Sequence, residues 1–186
     1  GSLLLNDICP EVEPYLSGLP DTPRFQFRAC DAESLPFPKG QDLIVSCSAI
    51  QWFEHPERFL CQCKDLLKTE GYLAFSTFGP QNVREVASLT SEALPYRSLE
   101  ELRRMLSGVY QIVYSREELL HRTFSSPLDV LKHLQATGVT GIRNRKWTKG
   151  QLEDFCRRYH RQYAAPDGTV SLTYHPIYMI CKKQEQ

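Results

Sequence analysis

Two carboxylates stand directly after the first two apolar runs of the chain, where they could bind the polar groups of a nucleoside. Asp7 follows the run 3–6, and Asp31 follows the alternating run 25–29. If both runs are parallel strands, the two carboxylates share the sheet edge at which open α/β sheets bind ligands. Asp7 is suited to a ribose diol, and the alternative is an N-cap residue for the next turn.

Further polar and small residues lie at or just after the ends of predicted strands. Asp31 could accept a hydrogen bond from the exocyclic amine of a base, with the Ala32 amide facing a ring nitrogen, or it could be a solvated loop carboxylate. Ser46 and Cys47 end the apolar run 42–47, which we predict to be a parallel strand buried on both faces. Their small side chains either let a ligand approach the backbone or pack tightly under a helix.

Gln51 and Trp52 come next along the chain. The indole could line a pocket or fill the core, and the core is the more frequent place for a lone tryptophan. The sequence contains no G-x-S-x-G, Walker or H-E-x-x-H motif, and its ten glycines include no G-x-G. No activated serine, zinc protease site or glycine-rich dinucleotide loop is therefore predicted.

The seven cysteines are scattered and odd in number, which favours a reducing compartment over a disulfide framework. Cys61 and Cys63 are two residues apart on a predicted helix, so they face nearly opposite sides and cannot share a metal ion. We expect no metal site and a cytoplasmic protein. No apolar run approaches the roughly 18–20 residues that cross a bilayer, so no membrane association is expected.

The net charge is zero, but it is unevenly distributed. The segment 143–161 holds seven basic and two acidic residues, so it carries +5 and the rest of the chain carries −5. A general nucleic-acid binder is usually basic overall, so nucleic acid is not expected as a partner. A solvated helix face and a docking surface for an acidic partner both remain open. The basic residues are Arg143, Arg145, Lys146, Lys149, Arg157, Arg158 and Arg161.

Hydrophobic periodicity and cap signals predict an α/β fold. A strand, a helix and a strand over 42–47, 56–68 and 71–78 form a parallel βαβ unit. A capping box at Ser98 and Glu101 begins a helix. The remaining predicted elements are strands over 3–6 and 25–29, a short helix over 10–17, a strand over 118–124, a helix from Ser126 to Gly138 with Leu128, Leu131 and Leu134 inward, an amphipathic helix over 148–163, and a final strand over 170–181 with Pro176 at an edge or bulge.

These residues resemble class I S-adenosylmethionine-dependent methyltransferases, and within them the malonyl-acyl-carrier-protein carboxyl methyltransferases of biotin synthesis. The resemblance covers nearly the whole chain. The general marks are Asp7, DAESL at 31–35, and the segments 42–52 and 71–77. The more specific marks are SAIQW at 48–52, LQATGVTG at 134–141 and LTYH at 172–175.

The resemblance implies a Rossmann-like sheet that is mostly parallel, with an antiparallel last strand and a helical lid. The family's sheet begins with a central strand and a D-x-G-x-G-like loop, neither of which is in this sequence. That strand would lie between the strands that end at Asp7 and at Cys47, and we expect an upstream segment of the natural protein to supply it. The expected division is an incomplete core over 1–94, a lid over 95–169 with one core strand near 118–124, and a final strand and tail over 170–186.

The resemblance also implies roles for single residues, with S-adenosylmethionine as the cofactor. Asp7 would hold the ribose hydroxyls, and Ile8 beside it would also bind the cofactor. Asp31 and Ala32 would meet the adenine, and Ser46 and Cys47 would lie near the methionine part. Gln51 would bind the cofactor from the cleft wall, and Trp52 would line the cleft toward the substrate. Tyr174 and His175 would orient the substrate carboxylate.

The implied substrate is malonyl-loaded acyl carrier protein, whose acidic surface would meet the basic segment 143–161. A malonyl carboxylate is ionised at neutral pH, so methylation needs no general base. Two alternatives stay open: a methyltransferase for a small molecule such as a quinone precursor, and a methyltransferase-like binding module without cofactor.

Overall fold

The computed structural model of the chain describes residues 1–16, 18, 24–34, 37–90, 94–138 and 147–184. The predicted docking residues Arg143, Arg145 and Lys146 lie outside these described ranges.

The strands are β1 (Leu3–Asp7), β2 (Phe25–Ala29), β3 (Gln41–Cys47), β4 (Leu67–Phe78), β5 (Tyr110–Glu117), β6 (Leu120–Phe124), β7 (Val170–Tyr174) and β8 (Pro176–Lys183). The α-helices are α1 (Pro56–Gln62), α2 (Arg84–Thr90), α3 (Leu99–Ser107), α4 (Pro127–Ala136) and α5 (Lys149–Tyr163). Short 3-10 helices cover Pro10–Leu16, Ala32–Ser34, Ile50–Trp52 and Cys63–Asp65.

The largest sheet has the strand order β3-β4-β8-β5. β3 and β4 are parallel, and β8 is antiparallel to both of its neighbours. β5 therefore runs in the same direction as β3 and β4. The predicted fold class, a mostly parallel Rossmann-like sheet with an antiparallel last strand, is confirmed.

β1 and β2 form a separate parallel pair, and no strand among the described residues bridges β1 and β3. β3 consequently lies at the edge of its sheet. The prediction that residues 42–47 are buried on both faces is wrong, because Leu43 is 53% and Val45 58% exposed. A strand with one hydrogen-bonded neighbour and one covered face cannot bury every side chain, whatever its apolar sequence.

One face of the four-stranded sheet packs against α1 and α3 and forms the main core. Leu73 and Phe75 of β4 and Met179 of β8 pack with Leu60 of α1 and Leu106 of α3. The opposite face carries exposed apolar side chains at alternate positions, as the two-residue period of strands requires. They are Leu43, Val45, Tyr72, Tyr178 and Ile180.

A second core joins α2, α4, α5 and β7, with Val86, Leu134, Phe155 and Leu172 fully or nearly buried. The strand predicted over 118–124 is β6, but it pairs with β7 outside the four-stranded sheet. The strand that enters that sheet in this region is β5, which the sequence analysis missed together with α2. The division of the chain at residues 94 and 169 stays a prediction, and this core draws side chains from all three expected segments.

The final predicted strand over 170–181 is two strands. β7 pairs with β6, the chain turns at His175, and β8 enters the large sheet between β4 and β5. The expectation of an edge or a bulge at Pro176 is wrong, because β8 is an interior strand. Proline is accepted there because it is the first residue of the strand and opposes Phe78, the last residue of β4.

The helix ends follow their sequence signals closely. Capping boxes at Ser98 and Thr148 begin α3 and α5, and Gly138 follows α4 with a left-handed φ of 76°. The helix predicted over 56–68 is shorter, because α1 ends at Gln62 and β4 begins at Leu67. In α4 the inward prediction holds for Leu131 and Leu134 but is wrong for Leu128, which is 40% exposed while Val130 is buried.

The β1–β2 pair is tied to the rest of the protein by Glu33. Its two carboxylate oxygens accept hydrogen bonds from the backbone N–H groups of Glu54 and His55, each at 2.7 Å. Ala32 also packs against the main core. Glu33 and Ala32 thus connect the β1–β2 pair to the part of the protein that contains the four-stranded sheet.

We predict that Glu33→Ala lowers the free energy of unfolding by about 1–3 kcal/mol, since two charge-assisted hydrogen bonds are lost. Amide hydrogen exchange should accelerate at Glu54 and His55 and along β1 and β2. Glu13→Ala, an exposed acid in the same half of the chain, is the control and should change neither. Equal amide exchange rates in the two variants would contradict the proposed role of Glu33 in holding the β1–β2 pair.

Candidate active site

The carboxyl ends of β1 and β2 are held side by side by their own polar groups. The Asn6 side-chain amide donates to the backbone oxygens of Arg28 and Cys30, at 2.9 and 2.8 Å. The backbone N–H of Cys30 donates to the backbone oxygen of Asp7 at 3.0 Å. Asp7 and Asp31 therefore lie at the same edge of a parallel pair, as their positions after the strands predict.

Each of these carboxylates uses one oxygen in a local turn. Oδ1 of Asp7 accepts from the Cys9 N–H, and Oδ1 of Asp31 accepts from the Glu33 N–H, both at 2.9 Å. The turn and ligand interpretations are thus compatible, since the second oxygen of each group can serve a ligand. Ile8, beside Asp7, is 75% exposed.

The end of β3 is an exposed elbow of small residues. Ser48 has a left-handed φ of 50°, and its N–H donates to the Ser76 backbone oxygen at 3.0 Å. Ser46 is half-buried and Cys47 exposed. With such small side chains a ligand can approach the backbone here, as the sequence analysis proposed.

Gln51 connects this elbow to the end of β4. Its amide nitrogen donates to the Ser48 oxygen, and its side-chain oxygen accepts from the Thr77 hydroxyl at 3.3 Å. Trp52, next to it, is 44% exposed and does not contribute to the core. The more frequent role of a lone tryptophan, filling the core, is therefore wrong for this residue.

A cavity of about 120 Å³ lies beside Gln51, between the ends of β3 and β4 and the helices α1 and α3. Its walls are mostly apolar, with a few polar groups, which is the usual character of a small-molecule site. The apolar lining includes Ile50, Phe53, Leu60, Phe78, Leu102 and Met105, and the polar lining is Gln51, Glu54, Glu57, Thr77, Tyr96 and Arg97.

Five of the polar lining residues were given no role from the sequence: Glu54, Glu57, Thr77, Tyr96 and Arg97. Arg97 forms an ion pair with Glu57. Burial raises the pKa of the Tyr96 phenol, and a hydrogen bond from Asn82 partly offsets the rise, so the group is neutral at physiological pH. The segment before α3 gives no strand-end or motif signal, so nothing local pointed to it.

Tyr174 and His175 lie at the junction between β7 and β8. The Tyr174 hydroxyl is 2.8 Å from Nε2 of His133, and its ring lies near Phe78, which lines the cavity. Burial raises the pKa of the Tyr174 phenol. His175 is only 6% exposed, and both of its ring nitrogens contact protein groups, so Tyr174 is the better placed of the two to meet a substrate.

The described basic residues of the predicted docking segment lie on α5. Arg157 and Arg158 both form ion pairs with Asp154. Lys149 and Arg161 are exposed, and neither forms an ion pair within the described ranges. These two side chains therefore offer unpaired charge to a partner, and Arg157 and Arg158, which share one carboxylate, add a net +1.

The described part of the chain contains no group of three or more histidine, cysteine, aspartate or glutamate side chains arranged for a metal ion. None of its helices has the length and apolar character needed to cross a membrane.

Comparison with known proteins identifies the family. A family profile described as a methyltransferase domain matches residues 3–75. A malonyl-[acyl-carrier protein] O-methyltransferase of Bacteroides helcogenes is 45% identical over 99% of this chain and 72% of its own length. The chain belongs to the malonyl-[acyl-carrier protein] O-methyltransferase family. The resemblance inferred from the motifs is confirmed.

Other members of the family differ in how much of their length the chain covers. The relative from Bacteroides thetaiotaomicron is 46% identical over 98% of this chain and 74% of its own length. The relative from Bacteroides fragilis is 48% identical over 98% of this chain, but the chain spans only 37% of that protein.

Solved structures support the fold. A putative methyltransferase from Bacillus halodurans C-125 superposes with a TM-score of 0.67 at 14% identity, covering 100% of this chain and 84% of that one. The N-methyltransferase NodS of Bradyrhizobium japonicum WM9, in complex with S-adenosyl-l-homocysteine, gives a TM-score of 0.54 at 10% identity, covering 99% and 67%. At these identities the likeness concerns the fold alone.

We predict that Gly79→Ala destabilises the protein by about 1–3 kcal/mol, the usual cost of overpacking. A Cβ at this position would lie 2.5 Å from Cε1 and Nδ1 of His175, a ring that is too buried to move freely. Gly108→Ala is the matched control, because its Cβ would meet no atom within 4 Å and its φ is −78°. Urea unfolding measures both, and equal midpoints would contradict the close approach.

Proposed function

We propose that the protein transfers a methyl group from S-adenosylmethionine to the free carboxylate of malonyl-acyl carrier protein. The observation that carries the proposal is the 45–46% identity, over 98–99% of this chain, to two proteins named for that reaction. The cavity beside Gln51, at the carboxyl ends of two parallel strands, supports it as a site for the acceptor.

The residues at the strand ends suit the methyl donor. Asp7 and Asp31 each have a carboxylate oxygen to offer, the first to ribose hydroxyls and the second to an adenine amine. The small residues at the end of β3 leave room for the methionine part near the backbone of Ser46 and Cys47. When bound, the donor supplies an electrophilic methyl group on a sulfonium.

The residues around the cavity would hold the acceptor. The malonyl carboxylate is ionised at neutral pH, so the protein need not remove a proton from it. Its task is to orient the carboxylate and exclude water, because the opposite charges of donor and acceptor disappear in the transition state. Gln51 and Tyr96 can donate hydrogen bonds to the carboxylate. The ring of Tyr174 lies next to Phe78 in the cavity wall, and the apolar walls exclude water.

The partner would dock on α5. Acyl carrier proteins are acidic, and Lys149 and Arg161 are exposed cations on this helix. Arg143, Arg145 and Lys146 precede it in the sequence and would extend the same surface. Such a patch raises the association rate in a salt-dependent way more than it adds affinity.

The test compares acceptors in the natural gene product that contains this chain. Labelled methyl transfer to malonyl-acyl carrier protein should exceed transfer to a small malonyl thioester, and transfer to a quinone precursor should be absent. Preferred methylation of the quinone precursor would favour the small-molecule alternative. If calorimetry detected no binding of S-adenosylmethionine at all, the protein would instead be a binding module.

Asp7→Asn should raise the Kd of S-adenosylmethionine by about tenfold or more, the loss expected for a charged hydrogen bond. The amide oxygen can still accept from the Cys9 N–H, so the turn should remain intact. Asp42→Asn is the control, since it removes an exposed ion pair with Lys68 at the opposite end of β3 and should leave the Kd unchanged. Calorimetric titration measures both, and an unchanged Kd in D7N would contradict the assigned role.

The double variant K149E/R161E should raise KM for malonyl-acyl carrier protein by about tenfold at low salt, with the difference shrinking as ionic strength rises. KM for a small malonyl thioester should stay constant, because that acceptor does not touch α5. Arg104→Glu, an exposed cation of α3, is the control charge reversal. A parallel rise of KM for both acceptors would argue against docking on α5.

A further inference from the structure

His175 is a buried histidine whose ring is fixed from both sides. Its Nδ1 accepts a hydrogen bond from the Gln81 backbone N–H at 3.2 Å. A backbone N–H can only donate, so Nδ1 carries no proton and Nε2 carries it in the neutral ring. Nε2 then donates to Oε2 of Glu117 at 3.1 Å. These partners assign a single tautomer.

The backbone of His175 holds the same turn that its ring does. The Gly79 N–H donates to the His175 oxygen at 2.7 Å, and the His175 N–H donates to Oδ1 of Asn82 at 3.2 Å. The segment 79–82, which follows β4, is therefore bound to His175 through Gly79, Gln81 and Asn82. Its position therefore depends on His175, the residue that joins β7 to β8.

A strained residue follows this turn directly. Val83 has a left-handed φ of 47°, a conformation that a β-branched side chain avoids. Its N–H donates to the Thr173 oxygen at 2.8 Å, and its side chain is buried. Such backbone persists only where the surrounding contacts over-determine it, and it is frequent beside functional sites.

The turn reaches the cavity through Asn82. This side chain is 4% exposed, and its amide nitrogen donates to the Tyr96 hydroxyl at 3.2 Å. Tyr96 lines the cavity, whereas His175 and Asn82 do not. A continuous set of contacts thus runs from Glu117 through His175 and Asn82 to a phenol that faces the acceptor site.

We propose that His175 is a positioning residue: its Nε2-protonated imidazole holds the turn 79–82 at Gln81, its backbone N–H holds Asn82 in the same turn, and Asn82 fixes the Tyr96 wall of the acceptor cavity. The proposal rests on the proposed function for its kinetic consequence. It differs from the role implied by the family resemblance, in which His175 orients the substrate carboxylate itself.

Asparagine and glutamine at position 175 separate the two ring contacts. The oxygen of an asparagine side chain can replace Nδ1 as the acceptor for the Gln81 N–H, whereas a glutamine side chain reaches toward Glu117 and replaces Nε2. Because the Nδ1 contact holds the turn, H175N should retain kcat/KM for malonyl-acyl carrier protein within about threefold, and H175Q should lose about tenfold or more. Donor Kd should be unchanged in both, since Asp7 and Asp31 lie on other strands.

Two readouts do not depend on methyl transfer. Amide hydrogen exchange at 79–83 should be faster in H175Q than in H175N or the unchanged protein. The ¹⁵N shifts of the His175 ring in the unchanged protein should report the Nε2-protonated tautomer at neutral pH. This measurement needs no variant and therefore stands even if H175Q fails to fold.

The outcomes separate this proposal from the proposed function. An Nδ1-protonated ring or an imidazolium at neutral pH would overturn the positioning role, as would equal exchange rates and equal kcat/KM in H175N and H175Q. Absence of methyl transfer in the unchanged protein would overturn the proposed function, while the ring shifts and the exchange rates would still decide the role of His175.

Tyr96→Phe should reproduce the kinetic loss of H175Q. The double variant H175Q/Y96F should be no worse than either single variant, because both substitutions act on the same chain of contacts.

Discussion

The two halves of the candidate site depend on the carboxylate of Glu33. Asp7 and Asp31 belong to a two-stranded parallel sheet, whereas the elbow at Ser48 and the acceptor cavity belong to the four-stranded one. No strand among the described residues pairs with both sheets, and the hydrogen bonds described between them involve a side chain. The Glu33 carboxylate accepts hydrogen bonds from the backbone N–H groups of Glu54 and His55. Both residues lie in the loop that leads from the cavity wall into α1. Glu33, together with the packing of Ala32 on the main core, thus joins the two parts of the candidate site.

Local signals in the sequence were sufficient for most elements. The run 25–29 forms β2, the capping boxes at Ser98 and Thr148 begin helices, and Gly138 follows the end of α4. These features are determined by residues within one or two turns of each other. Periodicity and caps carry that information directly.

The errors concern partners that are distant in the chain. The apolar run 42–47 was expected to be buried because parallel strands usually have two neighbours, but within the described ranges β3 pairs with β4 alone. The run 170–181 has no internal sign that its halves join different sheets, since Pro176 fits an interior strand when it stands first. β5 was missed because its exposed positions include Val113 and Tyr114, which blur the alternation.

The same distinction applies to the site. The positions of Asp7 and Asp31 were predictable because carboxylates that follow parallel strands lie at the same edge of the sheet. Gln81 and Asn82 follow β4 and could have been found by that rule. Tyr96 and Arg97 reach the cavity from the segment before α3, and only the packing of α3 on the sheet brings them there. The contacts of His175 likewise join residues up to 94 positions apart.

The central claim is methylation of the free malonyl carboxylate on a carrier protein. Intact-mass measurement of malonyl-acyl carrier protein, after incubation with S-adenosylmethionine and the natural gene product that contains this chain, tests it most directly. We predict a gain of one methylene in mass, reversed by mild ester hydrolysis and not seen with acetyl-acyl carrier protein. An unchanged mass, or the same gain on the acetyl-loaded carrier, would contradict it.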